Sequence, residues 1–348
     1  MERLGRPEHG TCTGNDKQRL RPTRRSLLSL SVGTLVGLAG LRLSRTEAAV
    51  YPSRPVQVIV PFAGGSASDV VTRIVLDHIA STLKQSIVVD NRPGAGGNIG
   101  TAAAAHAPAD GYTLLMSTSG PLAANKSLFR TLGYDPIGDL SPIGLFAILP
   151  NVVVINSKFP PKSLRELIDY ARANPKVLNY GSVGVGSSQH LAGAYFEQLT
   201  NTQLTHIPYR NISNYTPDFL SGQVPLGFQL LPNVMGLIRS GDARPLAVAS
   251  DKRLTALPDV PTAAEAGLPN YQSAAWLALL APARTDGAVL ERIRTSMEDA
   301  VNDPKVRALF VEQGAEPLML GEKALADLIV SETDKWAAIV KKIGIEPM

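Results

Sequence analysis

Residues 56–69 read VQVIVPFAGGSASD, and residues 178–191 read LNYGSVGVGSSQHL. Each stretch passes from a short apolar run, through a glycine- and serine-rich loop, into helix-forming sequence. Val56–Phe62 is apolar and β-branched, which predicts a buried strand. Ser66 to Lys84 places Val71, Ile74, Val75 and Ile79 on one helical face. Ser66-Ala67-Ser68-Asp69 has capping-box spacing, with Asp69 in the place of the usual Glu and expected to cap its own helix. Leu178–Ser182 predicts a second such strand, and a helix follows its serine loop.

The pattern repeats outward from both. A strand at Ile87–Val89, a turn at Pro93–Gly97, a small-residue helix to about Ala107 and a strand at Tyr112–Ser117 complete a βαβαβ order. That order predicts a mostly parallel sheet with helices on both faces. The second unit has a strand at Val152–Ile155 and a helix opened by the capping box Ser163-Leu164-Arg165-Glu166, ending before Pro175. Strands are expected at Thr205–Tyr209, Leu226–Leu231 and Pro245–Ala249. The proline-rich Leu257–Pro269 reads as an ordered surface crossing. A strand at Trp276–Leu280 and three helices close the chain. The last helix, about Lys323–Lys341, is expected to bury Leu328, Trp336 and Val340. The chain therefore reads as two α/β units with glycine-rich loops at the carboxyl ends of their strands. Ligands bind at that edge, and two such edges facing each other make a cleft.

The loops fail the tests for nucleotide chemistry. Gly181–Ser188 has phosphate-loop glycine spacing, but Ser187 stands where the lysine should be. Gly94–Gly100 misses the dinucleotide fingerprint, because Ile99 occupies the third glycine position. Neither G-x-S-x-G nor H-E-x-x-H occurs, so no esterase or zincin is indicated. His78, His106, His190 and His206 show no metal-ligand spacing. His190, a lone histidine just inside its helix, reads as a structural residue. Ser117, Thr118, Ser119, Ser182, Ser187 and Ser188 are neutral donors at strand ends. Such donors, with bare backbone N–H groups at helix N-termini, suit anion binding without turnover.

The chain has 348 residues, a formal net charge of +4 and one cysteine, Cys12. Aromatics are 5%, too few for base-stacking platforms. The charge is concentrated in the first 49 residues, which hold nine basic and four acidic residues. Arg24-Arg25 precede an apolar run from Leu27 to Leu41, too short to span a bilayer, and Thr46-Glu47-Ala48-Ala49 follows. This is the layout of an export signal of twin-arginine type, cleaved near Ala48/Ala49. Removing residues 1–49 leaves a chain near −1 with no cysteine, suited to an oxidising periplasm.

Across the remaining chain the landmarks resemble the periplasmic solute-binding proteins of tripartite tricarboxylate transporters, the Bug family. They are Tyr51–Pro55, Val60-Pro-Phe62 with Asp69, Asn91–Gly97 with Ile99-Gly100, and Asp110–Leu115. Tyr180–Ser187 with His190-Leu191, His206–Tyr209, Ser221–Val224, Leu257–Thr262 with Glu265–Gly267, and Trp336 continue the match. The resemblance implies a type II, Venus-flytrap α/β fold of two lobes. Residues 50–152 and 274–348 would form the first lobe and 153–273 the second, with crossings near Pro150–Val153 and Gln272–Leu277. It implies no catalysis, no cofactor, no metal and no nucleic-acid partner. The expected partners of this monomer are a small mono- or dicarboxylate and the membrane subunits of a transporter, or alternatively a signalling protein. A periplasmic enzyme on the same scaffold is the remaining alternative.

Resemblance and loop position together nominate the ligand-binding residues. In the first lobe they are Phe62, Ala63, Gly64, Ser66, Gly97, Asn98, Ser117, Thr118 and Ser119. In the second they are Ser182, Gly184, Gly186, Ser187 and Tyr209, with Gln229 as a specificity residue. Four positions depart from the family pattern. Ser66 stands where the family's first loop has the second of two paired glycines, here shifted to Gly64-Gly65. Pro225 and Gln229 replace two frequent aspartates, and Asn211 stands where a glycine is usual. Gln229 without a carboxylate favours a ligand lacking an ammonium group.

Overall fold

The computed structural model describes residues 51–343 and 346–348. The export signal, its arginine pair and its cleavage site lie outside the described residues. The first half runs β1 (Val56–Val60), α1 (Ala67–Leu83), β2 (Ile87–Asn91), α2 (Asn98–Ala105), β3 (Thr113–Thr118), a short α3 (Asn125–Leu128) and β4 (Leu140–Asn156). Next come α4 (Leu164–Ala173), β5 (Asn179–Ser182), α5 (Ser188–Thr200), β6 (Thr205–Pro208), α6 (Tyr215–Ser221), β7 (Leu226–Leu230), α7 (Leu231–Arg239) and β8 (Ala243–Val248). The chain returns through β9 (Ala274–Pro282) to α8 (Gly287–Asn302), α9 (Pro304–Glu312), β10 (Glu316–Gly321) and α10 (Glu322–Ile343).

The strands follow the order β2-β1-β3-β9-β4-β7-β5-β6, with β10 and β8 also paired to β4. β1 is parallel to β2 and β3, and β5 is parallel to β6 and β7. The sheet is nevertheless mixed, because every pairing of β4 and β9 is antiparallel. β4 explains this. Its residues Leu140–Pro150 pair with β9, while Asn151–Ile155 pair with β7. One long strand thus leaves the first lobe's sheet and enters the second's, and β9 returns beside it. Side chains alternate across the sheet as a strand's period of two requires. On β9, Ala275, Leu277, Leu279 and Ala281 join the core under α1 and α8, while Trp276, Ala278 and Leu280 join that under α10. Two further cores flank the second lobe's strands.

The helix faces follow the sequence closely. α1 buries Val71, Val75, Leu76, Ile79 and Leu83, with Ile74 at the margin, and Lys84 ends it at φ 53°. Each fully buried aliphatic side chain of that stripe contributes roughly 1.5–3 kcal/mol. α10 buries Leu325, Ile329, Trp336 and Val340, with Leu328 only partly covered. Among the described residues no helix is long and apolar enough to cross a membrane.

Candidate functional site

The loop from β1 to α1 is held from beneath. Ser66 caps α1 by accepting from Asp69 N–H at 3.5 Å. Asp69 does not close the reciprocal box on Ser66. Its carboxylate accepts instead from Gly65 N–H at 2.8 Å, Arg73 Nε at 2.9 Å and Asn91 Nδ2 at 2.9 Å. Asn91 also donates to Phe62 O at 3.0 Å, so residues 62–65 are fixed at both ends. Burial alone would raise the Asp69 pKa. The hydrogen bonds from Arg73, Asn91 and Gly65 outweigh it and hold the carboxyl below its ordinary value.

The loop from β5 to α5 is built alike. Ser187 caps α5, accepting from His190 N–H at 3.4 Å and donating to Gly184 O at 2.7 Å. His190 Nδ1 accepts from Gly186 N–H at 3.2 Å, a structural role that requires the neutral ring. His206 lies against His190, ring centroids 4.3 Å apart, with its Nε2 2.6 Å from Ser182 Oγ. Ser182 and His206 approach as a nucleophile and base would. Yet Ser182 is fully buried, its hydroxyl shared with both the N–H and the carbonyl of Gly184.

These two loops face each other. Phe62, Ser66, Ala67, Ser68 and Thr118 of the first lobe and Val183, Ser187, Ser188, Gln189, Leu230 and Asn233 of the second line one cavity, with Ala275 of β9. The space in it open to a water-sized sphere is about 10 Å³. The first turns of two helices, of 17 and 13 residues, therefore point into one cleft from opposite sides. The first N–H groups of a helix have no partner within it, and the helix dipole makes that end positive. Among the described residues, no Lys, Arg, His, Asp or Glu lines the cavity. The lobes also touch around it. Leu191 of α5 packs with Ala124 and Leu128 of the first lobe and with Trp336 and Val340 of α10. Gly120 sits so close to the Gly186 carbonyl oxygen that a methyl group there would overlap it.

Of the fifteen nominated residues, Phe62, Ser66, Thr118 and Ser187 line the cavity. Ala63 and the exposed Gly64 lie between Phe62 and Ser66 in the first loop, and Gly184 and Gly186 lie between Val183 and Ser187 in the facing loop, but none of the four lines the cavity. The others lie off its wall, each for a visible reason. Gly97 is the left-handed turn before α2, at φ 101°. Asn98 gives its side chain to Asn125 and Tyr134. Ser117 faces Thr101 inside the core at 3.3 Å, and Ser119 is buried beside Gly120. Ser182 is bound under its own loop, and Tyr209 donates to Asp218 Oδ2 at 2.5 Å. Gln229 is fully buried. Its amide donates to Gly181 O and accepts from Asn233, so it reaches the cleft only through Asn233.

Sequence reasoning missed Ser68 and Gln189, and read Ser188 as a neutral donor without nominating it, although all three are first-turn residues just past a serine cap. Their signal was present, since first-turn N–H groups carry the anion-binding potential of a helix end. Asn233 had no local signal. It follows Pro232 on α7 and accepts from Ala67 N–H at 2.9 Å, a contact between residues 166 apart in the chain.

Comparison with known proteins agrees with this architecture. Residues 71–345 match the model of the tripartite tricarboxylate transporter family receptor. The chain is 36% identical over 314 residues to protein BugT of Bordetella pertussis, covering 90% of this chain and 96% of BugT. A solved R. palustris protein with adipate superposes with a TM-score of 0.82 at 34% identity, covering 86% of this chain and all of that one. MatC from Rhodopseudomonas palustris with bound malate superposes at 0.77 and 31% identity, covering 83% of this chain and all of MatC. The chain belongs to the tripartite tricarboxylate transporter receptor family and is a periplasmic solute-binding protein of the Bug type.

Proposed function

We propose that the cleft captures a small mono- or dicarboxylate in the periplasm and presents it to the membrane subunits of a tripartite transporter. The observation that carries this reading is the opposition of two helix N-termini, at Ser66–Ser68 and Ser187–Gln189, across one cavity without a basic side chain. Each N-terminus favours an anion by about 0.3–1 kcal/mol when exposed and up to about 2 kcal/mol when partly buried. Two positive ends brought together repel each other, and an anion between them removes that repulsion. Capture and closure are then one event, with the lobes parting to admit the solute and closing on it. The lobe limits proposed are 50–152 with 274–348, and 153–273. The change of partner along β4 between Pro150 and Asn151 supports them. Binding without turnover is part of the proposal.

Among the described residues no acidic side chain stands on the cavity wall to pair an ammonium group. Adipate and malate, found in the two related structures, are therefore the first solutes to test. Thermal-shift screening of a carboxylate panel is expected to raise the Tm with plain or hydroxylated dicarboxylates and to leave it unchanged with aspartate and glutamate. Tight binding of those two amino acids alone would overturn the reading.

A further inference from the structure

An unbroken chain of side-chain amides spans the cleft. Gln229 Nε2 donates to Gly181 O at 2.9 Å, Asn233 Nδ2 donates to Gln229 Oε1 at 3.3 Å, and Ala67 N–H donates to Asn233 Oδ1 at 2.9 Å. Both ends are backbone groups with fixed roles, a carbonyl at one and an N–H at the other. The orientation of each amide follows by elimination, and Asn233 must turn its oxygen toward α1. Gln229 is fully buried, so this aim is set inside the second lobe and persists when the lobes part.

Ala67 is the first residue of α1, and its N–H is one of the donors a helix cannot satisfy internally. A carboxylate oxygen is the acceptor such a donor favours. Asn233 supplies a neutral substitute from the opposite lobe. The part-open cavity beside it leaves about 10 Å³ for a water-sized sphere, about what a single water needs. A dicarboxylate requires the lobes to stand further apart, and that separation breaks the 2.9 Å contact. Contact and solute are therefore alternatives.

We propose that Asn233 is an internal competitor of the solute, closing the cleft on itself by occupying the α1 donor that a solute carboxylate takes when bound. The proposal rests on the carboxylate reading above. Affinity is then set by the opening of the self-closed form as well as by solute contacts, since a ligand pays for any population that cannot bind it. Asn233 is only half-buried, so it can be replaced without emptying a core.

The test combines small-angle scattering of the solute-free full chain with calorimetric titration of adipate and malate. Asn233→Leu keeps the bulk and removes the acceptor. It is expected to enlarge the radius of gyration without solute and to tighten binding roughly two- to tenfold, the worth of one net hydrogen bond. Asn233→Asp places a charged acceptor at the helix N-terminus while withdrawing the donor from Gln229 Oε1. It is expected to keep the chain compact and to weaken binding. An unchanged radius for Asn233→Leu overturns the proposal, as does opening accompanied by weaker binding, which would make Asn233 a solute contact. Opening by Asn233→Leu with no carboxylate binding to any variant supports the self-closing contact and overturns the carboxylate reading instead.

Discussion

His190 and His206 set the acid limit of the second lobe's binding loop. Burial lowers the His190 pKa to about 4, and burial with the neighbouring His190 lowers His206 to about 3. An unfolded chain takes up these protons near pH 6.5, well before the folded one does. The stability they contribute is therefore complete above about pH 6.5 and is lost progressively as pH falls toward the folded values. Protonating His190 also removes the acceptor that holds Gly186 N–H. Thermal melts are expected to be level from pH 8 to 7 and to fall steeply between about pH 6.5 and 4. The His206→Gln variant should show a shallower fall. A Tm that holds constant down to pH 4.5 in the unaltered chain would contradict this account.

At the scale of the elements, the two serine caps share a design but differ in strength. Ser187 Oγ both accepts from His190 N–H and donates to Gly184 O at 2.7 Å, whereas Ser66 Oγ makes one long contact of 3.5 Å. Losing a cap costs about 0.5–2 kcal/mol. Ser187→Ala is expected near the upper end of that range and Ser66→Ala near the lower, by urea denaturation, and equal losses would refute the ranking. The Ser66 cap was legible in the sequence, because a serine before an apolar helical stripe is a local signal, whereas Ser187 was read as a ligand donor and not as a cap. β4 was not legible. Its run LSPIGLFAILPNVVVIN contains Pro142 and Pro150, which lack the ladder donor and hid all but Val152–Ile155. Pro142 falls at a register shift against β9, and Pro150 stands where β4 changes partner. β10 was missed for a related reason, since Pro317 lies within it and borders its own register shift. The two loops that face the cavity could be located in the sequence, but which of the nominated residues reach it depends on the packing of Asn98, Ser117 and Gln229, and tertiary contacts alone decide that.

For the whole molecule, the net charge of +4 misdirects, because residues 1–49 carry the excess. Anion recognition is assigned here to backbone dipoles, which a charge count does not display. The first turns of α1 and α5 are proposed to grip one carboxylate solute from both lobes. Amide ¹⁵N–¹H spectra recorded while adipate or malate is added address it directly. The N–H resonances of Ser68, Ser188 and Gln189 are expected to move together and saturate at one solute per chain. Shifts confined to one lobe, or to residues around exposed lysines and arginines, would contradict it.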